Sequence, residues 1–169
     1  MSTLFRFPNP VNEVSARLVA GGAVILAVLT IALDQPWLMI PLAYGFVARV
    51  LTGPTLSPLG QFVTRVLTPN LPFAAKNVAG PPKRFAQGIG ATLTVTAVVL
   101  HFGFGLTDAA FVLVGLVVVA ATLESVFAFC IGCKVFGLLM RIGVIPAEVC
   151  ERCNNIWSGA PQNPVGATR

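Results

Sequence analysis

Four long runs of apolar residues, separated by short polar segments, constrain this chain more than any other feature. They cover about residues 15–33, 37–51, 85–106 and 109–129. A hydrocarbon core of about 30 Å is crossed by roughly 20 apolar residues in a helix. Apolar residues make up 56% of the chain and charged residues 10%, and a water-soluble protein of this size cannot hide that much apolar surface. The sequence therefore predicts an all-α, polytopic membrane protein with four transmembrane helices.

The remaining segments complete a single membrane domain over residues 1–169. They are a connection at 52–84, a cysteine-bearing segment at 130–156 and a flexible tail at 157–169. The connection contains SPLGQFVTRVL, whose apolar residues recur at helical spacing. It predicts a short amphipathic helix after span two, which fits the membrane interface as well as the underside of the bundle. LLMRIGVI has a similar amphipathic pattern, and a short helix is predicted after span four at about residues 134–142.

Basic residues set the expected orientation. The turns at Asp34 and Asp108 carry no Lys or Arg, whereas the termini and the connection carry them. Because basic residues concentrate in cytoplasmic segments, both termini should face the cytoplasm. The net charge of +5 is then explained by topology and anionic lipid, so lipid and not nucleic acid is the expected partner. Lys83 and Arg84 should anchor span three at lipid headgroups.

All four cysteines lie in the segment CIGCKVFGLLMRIGVIPAEVCERC, as Cys130, Cys133, Cys150 and Cys153. The pattern C-x2-C-x16-C-x2-C is typical of a zinc site, in which four thiolates surround one ion at about 2.3 Å. Iron or an iron–sulfur cluster uses the same ligands. Cytoplasmic thiols stay reduced, which favours metal binding or catalysis over a structural disulfide. We expect a metal centre with a structural, sensory or docking role.

Thiol chemistry is the alternative for the same cysteines. CIGC or CERC can cycle between dithiol and disulfide, or carry a persulfide, without any bound cofactor. Lys134, Arg141 and Arg152 are close in sequence, and they would offset the charge of a metal–thiolate centre or lower thiol pKa values. One buried cysteine would fit a plain packing role, but two CxxC pairs fit it poorly.

Glu124 is a carboxylate inside the fourth span, where an unpaired charge is costly. By depth, Arg49 and Arg17 lie in the same layer, near Cys130, and are its expected partners. The cluster is either a structural ion pair or a proton or charge site. If it lined a pathway, the chain would be a small transporter, which needs a homo-oligomer. No nucleotide-binding loop, G-x-S-x-G or H-E-x-x-H motif occurs. No motif in the sequence therefore indicates enzyme chemistry other than thiol exchange.

Five motifs in order resemble domain-of-unknown-function family 4395: FPNPVNEVSARL, SPLGQFVTRV, GPPKRFAQGIGA, LESVFAFCIGCKVFGLLMRIGVIP and EVCERC. This family groups small, largely actinobacterial, integral membrane proteins. The resemblance covers about residues 7–156 and implies a bacterial inner-membrane protein whose C-terminal segment carries the four cysteines. Relatives encoded near thioredoxin-like or rhodanese-like genes imply a thioredoxin-like or sulfurtransferase partner.

Overall fold

The computed structural model describes residues 11–71 and 77–146, and these are almost entirely helical. The all-α prediction is confirmed. In chain order the elements are β1 (Val11–Asn12), α1 (Glu13–Ala32), a 3₁₀ turn (Pro36–Leu38), α2 (Met39–Thr52), α3 (Pro58–Phe62), a π turn (Val63–Leu67), α4 (Thr68–Asn70), β2 (Asn77–Val78), α5 (Gly80–Val98), a second π turn (Val99–Gly103), α6 (Thr107–Phe127) and α7 (Ile131–Arg141). The second CxxC pair, Arg152 and the predicted tail lie outside the described residues.

Three of these helical stretches are long and apolar enough to cross a membrane. They are Glu13–Ala32, Gly80–Gly103 and Thr107–Phe127. The predicted second span corresponds to Pro36–Thr52, which is apolar but shorter. Its α-helical part has 14 residues and therefore rises about 21 Å, less than the hydrocarbon thickness. Length and composition thus support three of the four predicted spans.

The outer faces of the long helices are apolar. Ile25, Val112 and Val119 are exposed by 64%, 64% and 58% of their surface. In water, such residues scattered over whole helix faces would form large exposed apolar patches, which soluble monomers rarely carry. These faces are compatible with contact to lipid.

The bundle is held by close packing of small residues. Helix α1 packs along α6, α2 packs along α5, and α5 joins the two pairs by contacting α6. The fully buried core includes Ala27, Ala97, Ala110 and Val114. Small side chains let helix backbones approach closely, and such close packing is typical of helices that associate in lipid.

One end of the bundle gathers the starts of α1 and α5 and the ends of α2 and α6. The antiparallel pairing of Val11 with Val78 ties the segments that precede α1 and α5. At this end Arg17 of α1 contacts the last turn of α6. We call it the basic end. At the opposite end, the rings of Trp37 and Phe102 lie 5.0 Å apart.

The helical segment after α2 packs under the bundle on one face and is exposed on the other. Val63 is buried, and a Cβ added at Gly22 of α1 would lie 2.7 Å from Leu59 Cδ1. Phe62 and Val66 are exposed by 53% and 45%. The segment therefore packs on the bundle with one face, and its other, exposed face is apolar at these two positions.

Candidate functional site

A tight reversal between α6 and α7 positions the first cysteine pair. Helix α6 ends at Ala128, which adopts the left-handed conformation with φ of 54°. The amide N–H groups of Ala128 and Phe129 both donate to the carbonyl of Leu123, the second at 3.0 Å, and so satisfy a carbonyl of the last helical turn. Cys130 is already the N-cap of α7. The first pair therefore lies directly beside the last turn of α6.

The two cysteines of CIGC occupy the N-cap and third positions of α7. The amide N–H of Cys133 donates to Sγ of Cys130 at 3.3 Å, the bond that a serine or aspartate cap usually accepts. Both thiols are free. Cys130 is buried with 8% of its surface exposed, and Cys133 is half-buried. One helical turn thus presents both sulfurs together.

The two thiols differ in acidity. The pKa of Cys130 is lowered, chiefly by the hydrogen bond with the Cys133 side chain and also by the charge of Lys83 and the Cys133 amide. The same hydrogen bond and burial raise the pKa of Cys133. Cys130 is therefore the more acidic thiol of the pair and Cys133 the less acidic one, the asymmetry that distinguishes an attacking thiol from a resolving thiol.

A buried ion pair lies next to this dithiol. Nζ of Lys83, in the first turns of α5, is 2.5 Å from Oε1 of Glu124 in α6. Both charges are close enough to act on the two thiols. This differs from the expectation that Lys83 reaches lipid headgroups: α5 begins at Gly80, so Lys83 falls against α6, where Glu124 offsets its desolvation.

The arginines expected beside Glu124 bind other groups. Arg17 donates to the carbonyls of Ser125 and Val126, each at 3.0 Å, and so satisfies acceptors at the negative end of α6. Arg49 donates to Oε1 of Gln87 at 2.9 Å. These three charged residues lie at one end of the bundle, as expected, but the carboxylate is paired with Lys83.

Of the other predicted charges within the described residues, Arg84 and Arg141 are exposed and Lys134 is half-buried. Arg84 is exposed, and its Nε donates to the carbonyl of Val50 at 2.9 Å. The Lys134 ammonium lies 5.8 Å from the centroid of the Phe129 ring. Arg141 is exposed in the last turn of α7.

The described residues include two of the four cysteines of the predicted metal site. Within residues 11–71 and 77–146, no group of three or more His, Cys, Asp or Glu side chains could hold a metal ion. Cys150, Cys153 and Arg152 lie outside these ranges. The structure therefore supplies one CxxC pair and leaves the zinc prediction untested.

A glycine inside CIGC brings α7 against α5. A Cβ added at Gly132 would lie 2.6 Å from Cα of Ala86. Further along α7, the rings of Phe85 and Phe136 are 5.6 Å apart. These contacts hold the dithiol close to Lys83. Neither Gly132 nor Gln87 was predicted as a site residue from the sequence. Gln87 could have been found from its spacing, because residues 83 and 87 are four apart and therefore lie on one face of α5.

A family model described as "Domain of unknown function (DUF4395)" matches residues 11–141. The match includes Cys130 and Cys133 and ends before Cys150 and Cys153. No curated protein and no solved structure matches the chain.

Proposed function

The chain belongs to the DUF4395 family, and from that premise we propose that it is an integral membrane protein for thiol–disulfide exchange, acting through Cys130 and Cys133. The observation that carries this proposal is the asymmetric dithiol at the start of α7. This pair lies beside the buried ion pair of Lys83 and Glu124. The arrangement is complete within the described residues and needs no further ligand.

The exchange proceeds in two balanced steps with a disulfide of a partner protein. The Cys130 thiolate attacks one partner sulfur, forming a mixed disulfide and releasing the other partner sulfur as a thiolate. Cys133 then loses its proton and attacks Sγ of Cys130, which releases the second partner thiolate. The released thiolates take up protons. The partner disulfide gains two electrons and becomes a dithiol, while Cys130 and Cys133 become a disulfide.

The ion pair serves both steps. The Lys83 ammonium favours the thiolate of Cys130. In the second step Glu124 accepts the Cys133 proton, since its carboxylate lines one cavity with Cys130 and Gly132 at the start of α7 and is held by Lys83. A base fixed beside a resolving thiol is required because Cys133 has a raised pKa and is a poor nucleophile while protonated.

The site faces the cytoplasm in this proposal, in the inner membrane of a bacterium. Arg17, Arg49 and Lys83 lie at the same end of the bundle as the dithiol, and basic ends of membrane proteins face the cytoplasm. A thioredoxin-like protein is then the partner that supplies or removes the electron pair. Because Cys130 is only 8% exposed, exchange with a protein requires the first turn of α7 to shift.

Trapping the mixed disulfide tests the proposal. In full-length protein with Cys150→Ser and Cys153→Ser, the added change Cys133→Ser, which keeps a hydrogen-bond donor but cannot resolve the adduct, should leave a stable Cys130 adduct with an oxidised thioredoxin-class partner. The matched variant Cys130→Ala should form less of this adduct, because burial still raises the pKa of Cys133 when its hydrogen bond with Cys130 is lost. Equal trapping by the two variants, or none by either, would contradict the assignment.

A zinc centre formed by Cys130, Cys133, Cys150 and Cys153 is the second candidate. It is favoured by the one-turn spacing of the first pair, which directs two sulfurs to one side of α7, and iron would use the same ligands. This candidate requires the second pair, whereas exchange at Cys130 does not. Metal content of the wild type and of the Cys150→Ser, Cys153→Ser variant separates the two.

A further inference from the structure

A cavity that neither Cys130 nor Cys133 lines opens at the basic end. Its volume is about 190 Å³, the space of roughly six water molecules. It lies between the start of α1, the end of α2, the segment after α2 and the start of α5. Its polar lining includes Ser15, Arg49, Lys83 and Gln87, and Ala16 is part of its apolar wall.

The charges around this cavity do not balance. Arg49 and Lys83 are both buried, with 6% and 8% of their surfaces exposed. Glu124 pairs with Lys83 and also acts on Arg49 electrostatically, so this one carboxylate is shared by two buried cations. Among the described residues, Arg49 has only neutral hydrogen-bond partners, Oε1 of Gln87 and, at 3.5 Å, Oγ of Ser57, and it lies 4.5 Å from the centroid of the Phe46 ring.

A buried guanidinium whose hydrogen-bond partners are all neutral is costly. The same cost makes the site attractive to an anion, since the low local dielectric strengthens charge–charge contacts. The guanidinium fork also matches the oxygen spacing of phosphate and carboxylate groups, and Lys83 adds a second positive charge. Gln87 offers its amide NH₂ as a donor because its oxygen accepts from Arg49.

We propose that this cavity binds a tetrahedral oxyanion of the phosphate or sulfate type, held by Arg49 with Lys83 and Gln87. The oxyanion is either a free inorganic ion or the phosphate of an anionic lipid headgroup, which the position at the end of the bundle would admit. This anion site is separate from the thiol-exchange site and does not depend on it, although Lys83 is close to both.

Thermal unfolding of the full chain in a non-ionic detergent tests the proposal. Inorganic phosphate or sulfate should raise the Tm of the wild type more than chloride does at equal ionic strength. Arg49→Gln should weaken this affinity about tenfold or more, the loss expected for a charge-assisted hydrogen bond. Ala16→Leu fills the cavity and keeps both cations, so it should abolish the response even if Arg49→Gln fails to fold.

Arg65→Gln is the matched control, because Arg65 is an exposed arginine of the same end. It should respond to oxyanions as the wild type does. Native mass spectrometry with phosphatidylglycerol distinguishes a lipid headgroup from a free ion. If the site binds the headgroup, the wild type should retain this lipid and Ala16→Leu should lose it. If neither inorganic oxyanion nor anionic lipid binds the wild type, or if Arg65→Gln loses binding as Arg49→Gln does, the proposal is wrong.

Discussion

Lys83 and Glu124 form an ion pair inside the helix bundle, 2.5 Å apart, with only 10% and 11% of their side chains exposed. The pair joins the first turns of α5 to the last turns of α6. Each charge lies where water cannot solvate it well, so each depends on the other. The same pair is adjacent to the two thiols of α7, and it connects the stability of the bundle to the proposed chemistry.

Breaking this ion pair should destabilise the protein strongly. Lys83→Met alone leaves the Glu124 carboxylate buried without its partner, which costs about 3 kcal/mol of unfolding free energy. Adding Glu124→Leu should restore most of the loss, because the remaining side chains are both apolar. Unfolding in detergent measures both variants, with the exposed Arg141→Gln as control. A single variant as stable as this control would contradict the buried pairing.

The acidity of Cys130 should depend on the hydrogen-bonding group at position 133. Its pKa is lowered chiefly by that side chain, so the Cys130 thiolate should persist to a lower pH in Cys133→Ser, which keeps a donor, than in Cys133→Ala. The rate of Cys130 alkylation against pH, measured with Cys150 and Cys153 replaced by Ser, reports the two midpoints. Identical midpoints would remove the basis for calling Cys130 the attacking thiol.

Glu124→Gln should slow the second exchange step more than the first. Glutamine can still accept a hydrogen bond from Lys83 but cannot take the Cys133 proton, so closure of the disulfide should slow by about a hundredfold. Acid-quenched time courses with a small disulfide separate adduct formation from closure. Asp108→Asn, at the far end of the bundle, is the control. Equal slowing of both steps would indicate a purely structural role for Glu124.

Two glycine-to-alanine changes should have opposite effects on stability. Gly132→Ala places a Cβ against the backbone of Ala86 and should cost about 1–3 kcal/mol by forcing α7 away from α5. Gly88 has no atom within 4 Å of the corresponding position, so Gly88→Ala should be neutral or stabilising by up to about 1 kcal/mol. Tm values in one detergent compare the two. Equal Tm values would contradict the close approach of α7.

The sequence predicts the long helices well because apolar length is a strong signal. Spans one, three and four overlap α1, α5 and α6. Span two ends near its predicted boundary, but its α-helical part is too short to reach across a membrane core by itself. The helix after span four was predicted at 134–142 and is observed at Ile131–Arg141, because Cys130 acts as an N-cap, a role more often taken by Ser, Thr, Asp or Asn.

The partner of Glu124 could not be chosen from depth alone. Arg17, Arg49 and Lys83 all lie in the layer of this carboxylate, and the choice depends on how each helix is rotated about its axis. The spans contain so few polar residues that the sequence does not indicate which face of each helix points into the bundle. Lys83 was expected at the lipid surface because it follows two prolines at a helix start, and its burial results from contact with α6, which no local signal encodes.

The most direct test of thiol exchange at α7 is the redox state of CIGC in full-length protein with Cys150→Ser and Cys153→Ser. After mild oxidation, peptide mapping by mass spectrometry should find a disulfide between Cys130 and Cys133, with the loss of two hydrogens per chain, and dithiothreitol should reverse it. If this pair stays open under oxidant, and the wild type holds one metal ion per chain that protects all four thiols until a chelator is added, the exchange function is wrong and the cysteines are metal ligands.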